Sequence, residues 1–245
     1  NLRLSAASKL VDITGLSELK AIERHEHHVR IGALVTHSEL LASDIVAQDL
    51  PLLHQSVPHV AHLAIRNQGT LGGSLSLADP AAEYPAVALA SGAQMVLQGP
   101  QGERVVDAKD FFQGLYATAR RSDELLVAVR WPRLHADERV GFDELSRRRG
   151  DYAMVGVAAR VRLNQGVVSQ AQVALLSVAD TPLLAIHCAS ALMGQRLDAN
   201  AIHKAQQALV KDLPGKGDLQ ADSATKRHLA QVVLGRVLSR MGDPA

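Results

Sequence analysis

The pattern of apolar and polar positions predicts a chain that mixes short strands with helices. Residues 11–13 and 29–34 are apolar runs typical of strands, and the polar piece between them favours a hairpin. Residues 36–57 and 58–67 carry apolar side chains at helical spacing, which predicts two consecutive helices. The chain is therefore expected to open with a hairpin and to continue with helices.

Local signals predict where the next elements begin and end. Thr36, with Glu39 three residues later, is typical of a capped helix start. A further helix is predicted to end near Gly92, because glycine suits the left-handed residue that closes a helix. Two strands then flank the turn GPQG at residues 99–102, and a strand over residues 124–132 ends at a proline.

A polar link at residues 134–138 predicts a boundary between two domains, which we place at residues 1–135 and 136–245. In the second domain, residues 152–163 and 170–179 alternate like an antiparallel pair of strands. Three helices are predicted after this pair, over residues 181–193, 199–209 and 223–241. The predicted fold class is α+β, with a ligand-binding domain followed by a smaller domain of antiparallel sheet and helices.

Composition narrows the possible functions. The chain has 245 residues with 26 basic and 25 acidic side chains, so the net charge of +1 gives no sign of a nucleic-acid partner or a polybasic membrane surface. No apolar run approaches the roughly 20 residues that span a bilayer, so we expect no membrane span and a cytoplasmic protein. The one cysteine, Cys188, lies in an apolar helical pattern typical of a buried small hydrophobe. Any iron-sulfur cluster must therefore sit on another chain.

The stretch IRNQGTLGGSLSLADPAAEYP, residues 65–85, carries three glycines within five residues. If Gly69, Gly72 and Gly73 adopt positive φ, successive amides form an anion nest to which Thr70 and Ser74 add hydroxyls. A phosphate or pyrophosphate fits such a nest, but the glycines also fit a plain tight turn. The P-loop and dinucleotide-fold glycine signatures are absent from the sequence, which argues against those two classes of enzyme.

Two carboxylates follow the glycines four residues apart. Asp79 and Glu83 would not help a phosphate, but they could accept hydrogen bonds from the hydroxyls of a sugar-alcohol chain beyond it. A phosphate followed by a polyol is the layout of a flavin nucleotide.

Residues 65–93 closely resemble the second pyrophosphate motif of the FAD-binding medium subunits of molybdenum hydroxylases, the xanthine dehydrogenase and carbon monoxide dehydrogenase group. Five more segments resemble that family in the family's order: VRIGALVTHSELLAS, DELLVAVRWP, RRRGDYAMVGVAARV, ADTPLLA and DLQADSATKRHLAQVVLGRVL. The resemblance implies an FAD-binding cradle domain of the PCMH (vanillyl-alcohol-oxidase-like) type. It also implies a C-terminal domain of the carbon monoxide dehydrogenase flavoprotein type.

The resemblance also implies which residues meet the cofactor. The pyrophosphate would be lined by Thr70, Leu71, Gly72, Gly73 and Ser74, and the ribityl hydroxyls would lie near Asp79 and Glu83. Ala61 and Ile65 would lie against the cofactor, Leu126 near its ring, and Asp151 at the flavin edge. Tyr152 would pack on the isoalloxazine, and its alternative interpretation is an ordinary aromatic in a strand.

The resemblance implies that the chain is an oxidoreductase subunit that transfers electrons. It also implies that this chain carries neither catalytic residues nor a metal site. FAD on this chain would take electrons from [2Fe-2S] clusters on a small subunit and pass them to an external acceptor. A large subunit would hold molybdopterin, and the assembly would be a dimer of heterotrimers. The alternatives are a flavin-free scaffold subunit of the same complex and a stand-alone flavin oxidoreductase.

Three further features bear on these expectations. The family's first glycine motif lies upstream of the segment NLRL with which this sequence starts, so either an N-terminal piece is absent or the chain binds flavin with half a cradle. We favour the first alternative and expect residues 10–13 to be a strand without its partner. The segment HEHH at residues 25–28 suits an exposed hairpin better than a metal site. The run RRR at residues 147–149 suits a solvated or interfacial surface better than a phosphate site.

Overall fold

The structure is a computed structural model and describes residues 9–242. Its first half contains, in order, β1 (Ile22–Arg24), β2 (His28–Gly32), α1 (His37–Ala42), α2 (Asp44–Asp49), α3 (Pro51–Ser56), α4 (Leu63–Arg66), α5 (Leu71–Leu77), α6 (Glu83–Ser91), β3 (Gln94–Gly99), β4 (Gly102–Asp107), α7 (Ala108–Phe111), β5 (Phe112–Gly114), β6 (Ala117–Thr118) and β7 (Leu125–Pro132). Its second half contains β8 (Glu138–Ser146), β9 (Ala153–Asn164), β10 (Val167–Leu176), β11 (Leu183–Leu184), α8 (Ile186–Leu192), α9 (Ala199–Leu209) and α10 (Ser223–Gly242).

Two larger antiparallel sheets and a two-stranded antiparallel pair, β5–β6, organise these elements. The first has the strand order β1-β2-β7-β3-β4, and the second has the order β11-β10-β9-β8. Helix α6 lies against β9 and β10, and all nine of its residues are buried. The mixture of helices with antiparallel sheets confirms the α+β fold class.

The helix predictions were most accurate where a local end signal was present. Thr36 and Glu39 form a reciprocal capping box, and Gly92 ends α6 in the left-handed conformation. The helix predicted over residues 36–57 is instead three short helices, because Ser43 caps a second helix and Pro51 opens a third.

The predicted helix over residues 58–67 was wrong over much of its length. Val57–His59 is a single 3-10 turn, and only Leu63–Arg66 is α-helical. Ala61 separates the two with a positive φ of 44°, a conformation that a helix cannot accommodate.

Two strand predictions also need correction. Residues 11–13 are not a strand: the Leu10 and Val11 side chains are 93% and 82% exposed, and the partner of β2 in the hairpin is the short polar strand β1. Strand β8 was missed, because its sequence mixes charged and apolar positions without strict alternation. The segment NLRL lies outside the described residues.

In the second half, the strand pair β9–β10 and helix α9 confirm the sequence predictions, and α10 runs one residue further than predicted. The first predicted helix is shorter, because residues 183–184 pair with β10 as strand β11 before α8 begins. Within residues 9–242, no helix combines the length and the apolarity that crossing a membrane requires.

Candidate functional site

An open cleft of about 760 Å³ lies among four segments of the chain. Its lining includes nine of the predicted cofactor residues, namely Ala61, Ile65, Thr70, Gly73, Ser74, Asp79, Glu83, Asp151 and Tyr152. The remaining walls include Gly150, which the resemblance places with Asp151 near the flavin edge, and His37, Arg147, Leu219 and Gln220, which sequence reasoning did not assign to the site.

The glycine stretch forms the start of helix α5 rather than a turn before a strand. Thr70 is the N-cap, and its hydroxyl accepts a hydrogen bond from the Gly73 amide at 3.1 Å. None of Gly69, Gly72 and Gly73 has positive φ, so the prediction that they use left-handed conformations was wrong. Gly69 and Gly72 are instead needed because a side chain would collide with His37 and Ala33 respectively.

Gly72 shows this need for space most clearly. A Cβ on Gly72 would lie 2.4 Å from Ala33 Cβ and 2.7 Å from Ala33 O. The close approach exists because the Gly72 amide donates to Ala33 O at 2.8 Å, while the Leu71 amide donates to Val35 O at 2.9 Å. These two amides therefore bind the backbone after β2, and they are not members of an open anion nest.

Gly73 has a different environment, because it lines the cleft. A Cβ there would meet a single group within 4 Å, the Thr70 hydroxyl at 3.0 Å. The bare backbone of Gly73 thus stands beside the cleft together with the hydroxyl-bearing residues Thr70 and Ser74. This arrangement leaves room for a bulky anion and supplies neutral hydrogen-bond donors to it.

The acidic residues line the next wall. Asp79 accepts a hydrogen bond from the Ala81 amide at 2.9 Å, and Glu83 begins helix α6. Burial raises the pKa of Glu83 to about 8, and the carboxylates of Glu144 and Asp79 act in the same direction. Glu83 is therefore mostly protonated at neutral pH, so it can donate as well as accept a hydrogen bond.

His37, a buried residue of the cleft wall, contacts the buried side chain of Tyr84. His37 Nδ1 lies 3.0 Å from the Tyr84 hydroxyl, and burial, helped by Arg66, lowers the pKa of His37 to about 4. The ring is therefore neutral. A Cβ on Gly69 would lie 2.7 Å from His37 Nε2, so only glycine fits against this ring. No local sequence signal identified this pair, because its members lie 47 residues apart.

Tyr152 lies on the turn before β9 and lines the cleft with 63% of its surface exposed. Its partial burial and the nearby Asp79 raise its pKa. Gly150 makes the turn possible with a φ of 87°, and a Cβ there would lie 2.5 Å from His62 Nδ1. Tyr152 is thus a surface residue of the cleft, and a role in core packing does not fit its exposure.

Three predicted site residues do not line the cleft. Leu71 and Gly72 are buried in the first turn of α5, and Leu126 is buried on β7 opposite Leu97. Leu126 belongs to the hydrophobic core behind the first sheet, so the structure does not bring it into the site.

The remaining candidate residues lie elsewhere or have other contacts. Cys188 is buried, as predicted, and burial raises the pKa of its thiol to about 12. The rings of His25 and His28 stack 4.6 Å apart in the β1–β2 hairpin, and residues 9–242 contain no group of three or more potential metal ligands.

Arg147 lines the cleft and donates to Gln220 O at 3.2 Å, so this part of the arginine run has a defined contact.

Comparison with known proteins places this geometry in a family. The family model described as the FAD binding domain in molybdopterin dehydrogenase matches residues 1–134. The model described as the CO dehydrogenase flavoprotein C-terminal domain matches residues 141–241.

Sequence similarity to two dehydrogenase subunits supports this assignment. The 6-hydroxypseudooxynicotine dehydrogenase complex subunit alpha of Paenarthrobacter nicotinovorans is 34% identical, over 98% of this chain and 81% of the relative. The carbon monoxide dehydrogenase medium chain of Hydrogenophaga pseudoflava is 33% identical, over 97% of this chain and 83% of the relative.

Solved structures share the whole fold. The cyanide-inactivated Cu,Mo-CO dehydrogenase matches with a TM-score of 0.93 at 33% identity, covering 98% of this chain and 84% of the other. Quinoline 2-oxidoreductase from Pseudomonas putida 86 matches with the same TM-score at 35% identity and the same coverage. The chain therefore belongs to the family of FAD-binding medium subunits of molybdenum hydroxylases.

Proposed function

We propose that this chain binds FAD in the cleft and relays electrons from [2Fe-2S] clusters of a small subunit to an external acceptor. A large subunit of the same complex would hold molybdopterin. The observation that carries the proposal is that nine of the twelve predicted cofactor residues converge on one open cleft, in a chain of this family. We also propose that residues 1–135 form the FAD-binding domain and residues 136–245 the C-terminal domain, which the extents of the two family matches support.

The residues that line the cleft carry the hydrogen-bonding and apolar groups that FAD requires. Thr70, Gly73 and Ser74 would hold the pyrophosphate, since they offer hydroxyl donors beside a position without a side chain. Asp79 and Glu83 would hold the ribityl hydroxyls. Ile65 and Tyr152 would supply apolar and aromatic surface to the ring, because both side chains are exposed in the cleft wall.

The chain's own part is binding and orientation. When bound, FAD supplies the redox chemistry that connects one-electron clusters to an external acceptor. The protein residues fix its position, limit the access of water and set the protonation of the groups around it. We assign no catalytic residue and no metal ligand on this chain, and we retain the cytoplasmic location as a prediction.

The proposal is tested on the purified complex with its FAD intact, removed and restored. We expect the clusters, once reduced by titanium(III) citrate, to be reoxidised by the external acceptor at least tenfold more slowly after FAD removal. Added FAD should restore the rate. A complex that contains no FAD would favour the flavin-free scaffold alternative. Unchanged cluster reoxidation after FAD removal would refute the electron route.

The assembly gives a second prediction. A flavin that receives electrons from iron-sulfur clusters must lie close to the subunit that holds them, and the single cysteine here cannot supply four thiolates to a cluster. We therefore expect a stable hetero-oligomer, a dimer of heterotrimers, that contains iron and molybdenum. Light scattering after size-exclusion chromatography should give a mass far above the 26.2 kDa of this chain. A lone chain that reduces the acceptor unaided would instead support the stand-alone oxidoreductase.

Tyr152→Ala gives a third prediction. Because Tyr152 is 63% exposed, its removal should change the melting temperature of the complex little. Aromatic stacking contributes about 0.5–1.5 kcal/mol beyond burial, so most of the FAD should remain bound. We expect the rate of flavin reoxidation to change, since the ring would no longer shield the flavin. A large drop in melting temperature with unchanged reoxidation would mean that Tyr152 is a packing residue.

A further inference from the structure

A buried polar junction lies beneath the cleft at Ser177, which follows β10. Ser177 has a positive φ of 61°, a conformation that costs free energy for any residue but glycine. Its amide donates to Pro80 O at 2.8 Å, and its hydroxyl donates to Ala153 O at 2.6 Å. Ser177 therefore joins the wall that carries Asp79 to the turn that carries Tyr152.

A buried lysine extends this junction to a third wall. Lys226 on α10 is buried, and its ammonium group donates to Ser177 O and to the Asp218 carboxylate. A buried ammonium group is costly unless it is paired and hydrogen-bonded, so both contacts are needed to keep it there. The Ser177 carbonyl and the Asp218 carboxylate are thus fixed relative to each other.

Asp218 also holds the loop that follows it through hydrogen bonds to backbone amides. Its second carboxylate oxygen accepts hydrogen bonds from the Gln220 amide at 2.8 Å and the Ala221 amide at 3.1 Å. Arg147, which also lines the cleft, donates to Gln220 O at 3.2 Å. The backbone on either side of Leu219 is therefore fixed by charged side chains.

Leu219 itself is the unusual member of this loop. Leu219 is fully exposed, although the loop around it is held by the hydrogen bonds of Lys226, Asp218 and Arg147. It lines the same cleft as Gly73 and Tyr152. Three other large apolar residues with exposed surfaces, Ile65, Leu77 and Tyr152, line the same cleft. Leu219 therefore belongs to a shared apolar lining that an occupant of the cleft would bury.

We propose that Lys226 and Ser177 are positioning residues that hold Leu219 as an apolar cover over FAD bound in the cleft. Lys226 acts through Asp218, and Ser177 aligns the cover with the Asp79 and Tyr152 walls. Leu219 would exclude water from one side of the cofactor. This inference rests on the proposed binding of FAD, because the cover needs an occupant.

The test compares variants of the purified complex by two measurements, the dissociation constant of FAD and the quenching of flavin fluorescence by iodide. Leu219→Ala should weaken FAD binding about tenfold, equivalent to roughly 1.4 kcal/mol, and should increase quenching. The melting temperature of the FAD-free complex should not change, because the side chain is exposed. Leu184→Ala is the matched control, since Leu184 is a partly exposed leucine on β11 that does not line the cleft.

Lys226→Met should reproduce both effects, and Lys226→Arg, which keeps the charge, should restore part of the wild-type behaviour. Because Lys226 acts through Leu219, the two losses of FAD affinity should not add. The double variant should bind FAD no more weakly than the single variant that loses more affinity. Equal behaviour of Leu219→Ala and the Leu184→Ala control, or additive effects in the double variant, would overturn the inference. A wild-type complex that binds no FAD would instead refute the proposed function, and the cover with it.

Discussion

Gly73→Val should sharply weaken FAD binding while the chain stays folded. The valine Cβ would meet only the Thr70 hydroxyl, at 3.0 Å, and the helical backbone at Gly73 has no positive φ, so the FAD-free fold should tolerate the change. The two methyl groups would occupy space beside Thr70 and Ser74 that the cofactor needs. Overpacking costs about 1–3 kcal/mol, which corresponds to roughly a five- to 150-fold loss of affinity.

Gly72→Ala is the matched comparison one residue earlier. Its Cβ would fall 2.4 Å from Ala33 Cβ, and neither backbone can move without breaking the hydrogen bond from Gly72 N to Ala33 O. We expect this variant to lose about 1–3 kcal/mol of stability, and FAD with it. FAD content per chain and the melting temperature of the FAD-free protein separate the two outcomes. Full FAD content in Gly73→Val would show that the cofactor does not lie against this helix.

The residues that the sequence predicted correctly are those with local signals. Thr36 with Glu39, Gly92 and the GPQG turn each determine a helix end or a turn from a few neighbouring residues, and the structure shows each of them in place. The family resemblance led to the candidate site, and its motif at residues 65–85 holds most of the proposed cofactor residues within about twenty positions. Local signals were sufficient wherever the partners of a residue are close in sequence.

Some predictions failed for local reasons, such as the helix predicted over residues 58–67, which the positive φ of Ala61 interrupts. Others failed because they concern contacts between distant segments. Nothing near Gly72 in the sequence indicates that its amide pairs with Ala33, so the open nest was a reasonable but wrong expectation. The Tyr84–His37 pair and the contact of Lys226 with Ser177 likewise join residues 47 and 49 positions apart. Such contacts depend on how the two sheets and α6 pack, which hydrophobic periodicity does not determine.

Glu83→Gln should remove a pH dependence of stability that the wild-type chain carries. The pKa of Glu83 rises from its ordinary 4.5 to about 8 because the carboxyl is buried, with Glu144 and Asp79 nearby. Between these two values the folded chain keeps a proton that the unfolded chain releases, so the wild-type chain loses stability as the pH rises from 4.5 to 8. The loss has an upper limit of roughly 5 kcal/mol, and we expect about 1–3 kcal/mol after relaxation of the site.

The glutamine side chain in Glu83→Gln cannot ionise, so the variant should melt at nearly the same temperature across this range and should exceed the wild type above pH 8. Infrared spectroscopy gives an independent measurement: the wild type should lose a protonated-carboxyl band with a midpoint near pH 8, and Glu83→Gln should lack that band. Glu26→Gln is the control, because Glu26 is an exposed glutamate in the β1–β2 hairpin. Parallel melting curves for wild type and Glu83→Gln would mean that Glu83 is already ionised at neutral pH. In that case Glu83 would act in the cleft as an acceptor of hydrogen bonds only, and a ribityl hydroxyl would have to donate to it.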